Sequence, residues 1–203
     1  MPKPFLPKDG QDTPIMDVHP EEIARQLTLI EWNIWEKIQP WELLGLAWMQ
    51  QDKALRAPHV VALMERFNFV SGWVATTICS QEQVKKRSKY IQRIIDVANS
   101  LRNLGNLNGV MEIVSGLNRG PVYRLKQSWD DVPSSSKKIF EELKSITDSQ
   151  ISFANVRKHQ KKPCIPYLGL YLTDLTFIEE CNHDMLNGLI NFNKRQKVSE
   201  TIR

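Results

Sequence analysis

Histidines, cysteines and neighbouring acids are the side chains of this sequence that could carry chemistry, and their spacing argues against most of it. His19, His59, His159 and His183 form no HxxxH or HExxH pair and have no cysteine at the usual ligand spacing, so a metal site would have to be assembled from distant parts. Cys79, Cys164 and Cys181 are widely separated and odd in number, which builds neither a disulfide framework nor a CxxC knuckle and fits a reduced, intracellular compartment. Acids sit side by side at Glu21-Glu22, Asp130-Asp131, Glu141-Glu142 and Glu179-Glu180. Adjacent helical residues point about 100° apart, so these pairs suit charged surface better than a shared general acid and base. No Gly-x-Ser-x-Gly elbow, GxxxxGK[ST] loop or GxGxxG loop is present. Bond-making chemistry, a metal and a cofactor are all unexpected.

Composition points the same way. Hydrophobic residues make up 41% and charged residues 25% of 203, an ordinary globular balance. The formal net charge of +4 is spread along the chain and is not the clustered basic surface of a nucleic-acid binder. No stretch approaches the roughly 20 apolar residues of a membrane span, and the start has no signal-peptide core, so no direct membrane insertion is expected. Six tryptophans stand out. Trp32 and Trp35 lie beside the main apolar stripe of their segment, where they either pack against a second layer or wait for a partner.

The elements that must position these side chains read as helices. Residues 1–18, broken by Pro2, Pro4, Pro7, Gly10 and Pro14, are expected to form an extended arm. From Pro20, Ile23, Leu27, Ile30, Ile34 and Ile38 recur at helical spacing, with Pro40 closing the segment. A long helix is predicted after Pro58, with Val60, Leu63, Met64, Phe67, Val70, Val74 and Ile78 on one face and a middle weakened by Asn68, Ser71 and Gly72. The next, over residues 81–104, turns Val84, Ile91, Ile94, Ile95, Ala98 and Leu101 inward, with its basic run at 85–87 mostly facing water. Another follows Gly105 and stops near Gly120-Pro121. Ser134 or Ser135 is a candidate cap for a helix burying Ile139, Phe140, Leu143 and Ile146. The tail, with a dense apolar run into Glu179-Glu180, a loop CNHDMLNG and a partly basic last segment, is a helical-hairpin candidate. No Gly-Asn hairpin and no run of period-two strands is expected, and the fold class is all-α.

Taken together, HPEEIARQLTLIEW, IQPWELLGLAW, ALMERFNFVSGWVATTI, LNGVMEIVSGLNRGPVYRLKQSW, PCIPYLGLYLTDLTFIEE and GLINFNKRQKV resemble, in order, blocks of the catalytic domain of Ras-family guanine nucleotide exchange factors of the son-of-sevenless type. The resemblance covers residues 19–203. It implies an irregular all-helical domain with a protruding helical hairpin at about 172–203, truncated at its C-terminus relative to the family. It also implies a cytoplasmic protein, recruited to membranes through other domains or partners, that binds a Ras-like small GTPase, preferentially nucleotide-free. Such a protein releases GDP without a covalent step or a cofactor. An accessory N-terminal domain common in the family has no counterpart in residues 1–18 and is expected either upstream in a longer protein or absent.

By motif match, Glu180 is the hairpin glutamate that approaches the phosphate and magnesium region, with Glu179 beside it. Thr176 stands where the best-known member has a larger apolar side chain. Arg66, Met111, Ser115 and Asn118 match GTPase-docking residues, although Met111 could equally be core, and Asn68, Trp73 and Arg124 are assigned to structural support. Three departures bear on activity. The stretch ISFANVRKHQKKPC is short for the family and has Phe153 and Val156 where relatives often carry tyrosines. The hairpin loop is short, with Cys181 and His183 replacing the usual glycine and proline. The chain also ends at Arg203, before the helices that brace the hairpin in relatives. Thr176, the shortened stretch at 151–163 and the end at Arg203 motivate an alternative: a non-catalytic module that binds a small GTPase, a pseudo-exchange domain.

Overall fold

The structure, a computed structural model, describes residues 14–148, 150–161 and 163–203. It is all-α apart from one two-stranded ribbon among the described residues. In chain order the helices are α1 (Pro20–Trp35), a 3-10 segment (Pro40–Met49), α2 (Lys53–Arg56), α3 (Pro58–Cys79), α4 (Val84–Asn103), α5 (Leu107–Leu117), α6 (Gly120–Tyr123), α7 (Lys126–Asp130), α8 (Ser134–Ile146), α9 (Gln150–His159) and α10 (Leu168–Cys181). The ribbon β1 (Met185–Leu186) and β2 (Leu189–Ile190) leads into α11 (Phe192–Ile202). The chain condenses into two compact units: one of residues up to Trp32 with Arg66–Pro166, the other of Asn33–Glu65 with Tyr167–Arg203.

The first unit is built around α4 and α5. Ile91, Ile94, Ile95, Ala98 and Leu101 of α4 meet Val110, Ile113, Val114 and Leu117 of α5, with Val70, Val74 and Ile78 from the later part of α3 and Phe140 and Leu143 from α8. Trp129 stacks on Phe140 with ring centroids 5.1 Å apart. The middle of α3 is unbroken despite its weak formers, because α5 presses on it. A Cβ on Gly116 would come within 2.8 Å of the Ser71 carbonyl oxygen and 2.7 Å of the Val74 Cβ, so only glycine allows this approach.

Four sequence expectations change here. The most buried residues of α1 within this unit are Glu22, Ala24 and Glu31, while Ile23 and Leu27 are half-buried and Ile30 is exposed, so the helix is rotated from the stripe its isoleucines trace. Residues 1–13 of the expected arm lie outside the described residues. Residues 14–18 are tied down, with Ile15 packed on the core and the Arg93 guanidinium donating to the carbonyls of Met16 at 2.9 Å and Val18 at 3.3 Å. Arg87 leaves the solvated basic run, since it is half-buried and donates to the carbonyls of Gln81 and Glu82 and the Ser128 hydroxyl. Helix α8 begins at Ser134 itself, with Pro133 as its N-cap residue, because the Pro133 carbonyl accepts the first helical bond from the Lys137 N–H.

In the second unit, Ala47, Trp48, Val60, Leu63, Leu168, Leu172, Leu175 and Val198 form the core, flanked by Trp35 and Ile178. Trp35 therefore packs against a second layer, whereas Trp32, in the other unit, stays exposed. The buried Glu42 ties the 3-10 segment to the start of α3. Its Oε2 accepts from the backbone N–H of His59 at 2.8 Å and Val60 at 3.1 Å, and its Oε1 lies 2.8 Å from His59 Nδ1. Burial alone would raise the Glu42 carboxyl. The bonds from His59, Val60 and Gln39 outweigh it and hold the group below its ordinary value.

Candidate functional site

The hairpin of the second unit is held by one lysine. Helix α10 ends where the Asn182 side-chain amide donates to the Ile178 carbonyl at 2.9 Å. Asn187 and Gly188 then turn the chain with φ of 51° and 80°, the two positive angles of a type I′ turn, and register Leu186 with Leu189 and Met185 with Ile190. Asn191 caps α11 by accepting from the Lys194 N–H at 3.2 Å, and its amide donates to the His183 carbonyl at 2.9 Å. Lys194, only 3% exposed, reaches back into this frame. Its ammonium meets Glu179 Oε2 at 2.5 Å, the Glu179 carbonyl at 3.3 Å and Asp184 Oδ1 at 2.9 Å, spending two donors on α10 and one on the loop and so tying both to α11. Burial by itself would lower the Lys194 pKa. Glu179 and Asp184 reverse the sign and raise it. Asp184 is in turn held below its ordinary value, chiefly by the Lys194 bond and further by Arg195.

This frame separates the adjacent acids. Glu179 is half-buried and committed to Lys194, while Glu180, on the last turn of α10, is exposed. Thr176 is half-buried, and its hydroxyl donates to the Leu172 carbonyl at 2.8 Å, inside its own helix. Around Glu180 the element is apolar toward water: Phe177, Met185, Leu186, Leu189, Ile190 and Phe192 are all exposed.

The expected docking residues lie in the first unit and divide by burial. Ten of the eleven residues of α5 are buried; Ser115, half-buried, is the exception. Met111 is among the buried ones at 9% exposure, which favours its core alternative, while Asn118, just past the helix, is exposed. Arg66 is half-buried, with its guanidinium 5.7 Å from the centre of the exposed Phe69 ring. Of the residues assigned to support, Trp73 is half-buried against the core. Asn68 and Arg124 are exposed instead. Arg124 has no side-chain hydrogen bond among the described residues. The chain after α5 is held by Arg119, whose Nε donates to the Ser71 hydroxyl at 3.1 Å, and by backbone bonds of α6. Val156 is buried, and Phe153 is half-buried with a φ of 57°.

Behind α5 lies a cluster that the sequence did not announce. Glu31 of α1 and Glu112 of α5 are both 0% exposed. Asn108 Nδ2 donates to Glu31 Oε2 at 3.1 Å and to Glu112 Oε1 at 3.0 Å. Burial raises the Glu31 carboxyl, and burial together with the Glu31 charge pushes Glu112 up to about 9, with Arg66 opposing both shifts. A signal existed. Glu112 interrupts the apolar run VMEIV, and Glu31 continues the 24-28-31 spacing that includes Ala24, which is the face α1 buries. The expectation of no Gly-Asn hairpin is also overturned, since the Asn187-Gly188 pair turns the ribbon β1-β2 as such a pair does in a two-residue hairpin loop.

Among the described residues no group of three or more His, Cys, Asp or Glu side chains could hold a metal, and no helix is long and apolar enough to cross a membrane. A cavity of about 430 Å³ in the first unit, between Ile15, Trp73, Thr77 and Tyr90, has no carboxylate, imidazole or thiol in its lining.

Comparison with known proteins matches residues 22–196 to the RasGEF domain family. The sequence is 46% identical over 210 residues to Ras guanine nucleotide exchange factor P of Dictyostelium discoideum, covering 100% of this chain and 14% of that protein. Against exchange factor Y of the same organism it is 42% identical over 204 residues, covering 98% of this chain and 14% of the relative. Against exchange factor A it is 41% identical over 212 residues, covering 99% and 35%. The chain thus spans much less than two thirds of the length of these relatives.

Proposed function

The chain belongs to the RasGEF domain family, and on that premise we propose that it accelerates GDP release from a Ras-like small GTPase in the manner of son-of-sevenless-type domains. The observation that carries the mechanism is the hairpin's division of labour. Lys194 spends itself on Glu179 and Asp184, which stiffens the element, while Glu180 keeps its carboxylate in solvent beside exposed Phe177. Inserted near the nucleotide phosphates, a rigid carboxylate competes with phosphate for the GTPase's hydrogen-bond donors and disfavours the Mg²⁺ that accompanies the nucleotide. Exposed apolar side chains of the ribbon supply surface that a partner can cover.

Docking belongs to the other unit in this proposal, through Arg66 and Asn118, with Ser115 as the window in α5 and Met111 supporting it from beneath. A catalyst of dissociation must bind the nucleotide-free GTPase more tightly than the GDP-loaded form, because only differential affinity shifts the equilibrium. A cytoplasmic location, membrane recruitment and an accessory N-terminal domain belong to the same proposal and are assigned to regions beyond these 203 residues. The test is the release rate of a fluorescent GDP analogue from Ras, Rap and Ral proteins. Acceleration of at least one is expected.

Thr176 favours a second reading. Its hydroxyl is already used by α10, and its side chain is smaller than the apolar residue of the best-known relative, which weakens exclusion of the metal. A GTPase-binding module without exchange activity would bind empty and GDP-loaded GTPase equally and leave release unchanged.

A further inference from the structure

We propose that Glu31 and Glu112 hold one proton between them, and that the resulting neutral cluster with Arg66 makes Glu112 a positioning residue for GTPase docking. The second half rests on the exchange proposal; the shared proton does not.

Hydrogen-bond supply carries the first half. Asn108 has two amide protons, and each already goes to one carboxyl, Glu31 Oε2 or Glu112 Oε1. The remaining oxygens, Glu31 Oε1 and Glu112 Oε2, are buried and have no donor. The shared Asn108 amide holds the two fully buried carboxyls at one site, each with one oxygen left over. Two carboxylates cannot satisfy these oxygens, since neither carries a hydrogen, whereas a carboxylic acid facing a carboxylate can. One proton therefore satisfies both orphan oxygens.

Charge balance agrees. Arg66 of α3 is the charged group acting on the pair from outside it, and Asn106 and Asn108 are neutral donors. Two acids, one proton and one guanidinium sum to zero. Removing the proton leaves a net negative charge in a fully buried site, and adding a second leaves a net positive one, and either is costly away from water. The Arg66 Nε is buried with no hydrogen-bond partner, and the guanidinium, whose charge acts on both acids, lies over the Phe69 ring. The charge of the pair thus governs how Arg66 is presented. A doubly ionised pair draws the guanidinium inward and withdraws it from an incoming partner.

The experiment has two arms on the intact chain. Carboxyl-carbon NMR titration of the wild type, Glu31→Gln and Glu112→Gln reads the proton directly. The wild type is expected to keep one of the two carboxyls protonated well above pH 7, and each single glutamine variant should lose that high titration. Two carboxyls titrating in the ordinary range would overturn the proposal. In the second arm, affinity for a nucleotide-free Ras-family GTPase is measured at about pH 7 and about pH 10 against an Arg66→Ala background that corrects for titration of the GTPase itself. The wild type is expected to lose about tenfold and Glu112→Gln less than threefold, while Glu112→Ala binds at least about fivefold more weakly than Glu112→Gln. A merely structural Glu112 would give the same pH profile in wild type and Glu112→Gln, which sinks the positioning role. A shared proton seen by NMR in a protein that binds no GTPase would overturn the docking role and the exchange proposal together, leaving the first half standing.

Discussion

In the unit that carries α5, Glu31 and Glu112 are buried together with Arg66 as their counter-charge; in the unit that carries the hairpin, the buried Lys194 is flanked by Glu179 and Asp184. Both solve the cost of burying charge, but they lean on opposite species. The acid cluster is short of positive charge and of donors, so it recruits a proton. The hairpin has carboxylate to spare, so it holds its lysine charged and leaves Glu180 outside. Under the proposed exchange function, the difference means that docking and release tolerate change differently: the first would depend on a neutral, packed helix face, the second on a braced element with a free charge.

Opposite pH slopes are the strongest way to break that contrast. The Glu112 carboxyl is raised from 4.5 to about 9 in the folded state. Its contribution is therefore fully present below pH 4.5, declines as pH rises, and is lost above about 9, at most about 1.4 kcal/mol per pH unit. Glu42 is lowered, so its contribution is present above its ordinary value of 4.5 and is lost as pH falls through the folded value. Hydrogen exchange, corrected for intrinsic rates and resolved by segment, should show α5 loosening toward alkaline pH and the start of α3 loosening toward acid. Matching slopes in both would refute the contrast.

Glu180→Ala comes next in size. It is expected to slow GDP release about 100-fold with GTPase affinity nearly unchanged, the size of a single lost electrostatic stabiliser. Unchanged release in single-turnover fluorescence would remove Glu180 from the mechanism. Lys194→Met should lower unfolding stability by about 2 to 3 kcal/mol in denaturant melts, the low end for breaking a buried pair because Asp184 is exposed. The smallest effect belongs to Asn118→Ala, about 1 kcal/mol or fivefold in GTPase affinity, with the maximal release rate retained. A drop in maximal rate with full affinity would move Asn118 from docking to release.

Much of the architecture was legible because local signals coincide with it. Pro20 and Pro58 open helices and Asn106 caps one; α4 buries Ile91, Ile94, Ile95, Ala98 and Leu101 as their spacing indicates, although Val84 is half-buried and Ser88 and Val97 join the buried face; and the break at Gly120-Pro121 lies just past the end of α5. The site was legible only as a set of motif positions. Met111 was open between groove and core until burial favoured the core, and Asn68 and Arg124 read as support although both are exposed. On α1 the isoleucines outvoted the acids, because a periodic pattern counts apolar residues and cannot know that a buried glutamate will find Asn108.

The sequence by itself determined most of the longer helices, their order and the family, since each depends on residues close together along the chain or on ordered blocks of them, while the 3-10 segment and the helices α2, α6, α7 and α9 were not read from it. Tertiary structure alone decided which of two adjacent acids stays free and which two distant acids share a site. Glu179 and Glu180 point about 100° apart on one helix turn, and only the arrival of Lys194 from α11 distinguishes them. Glu31 and Glu112 are ordinary acids until α1 and α5 bring them out of water together, where desolvation and mutual repulsion change their chemistry. Protonation and pairing are properties of the surroundings, and the surroundings exist only once the chain has folded.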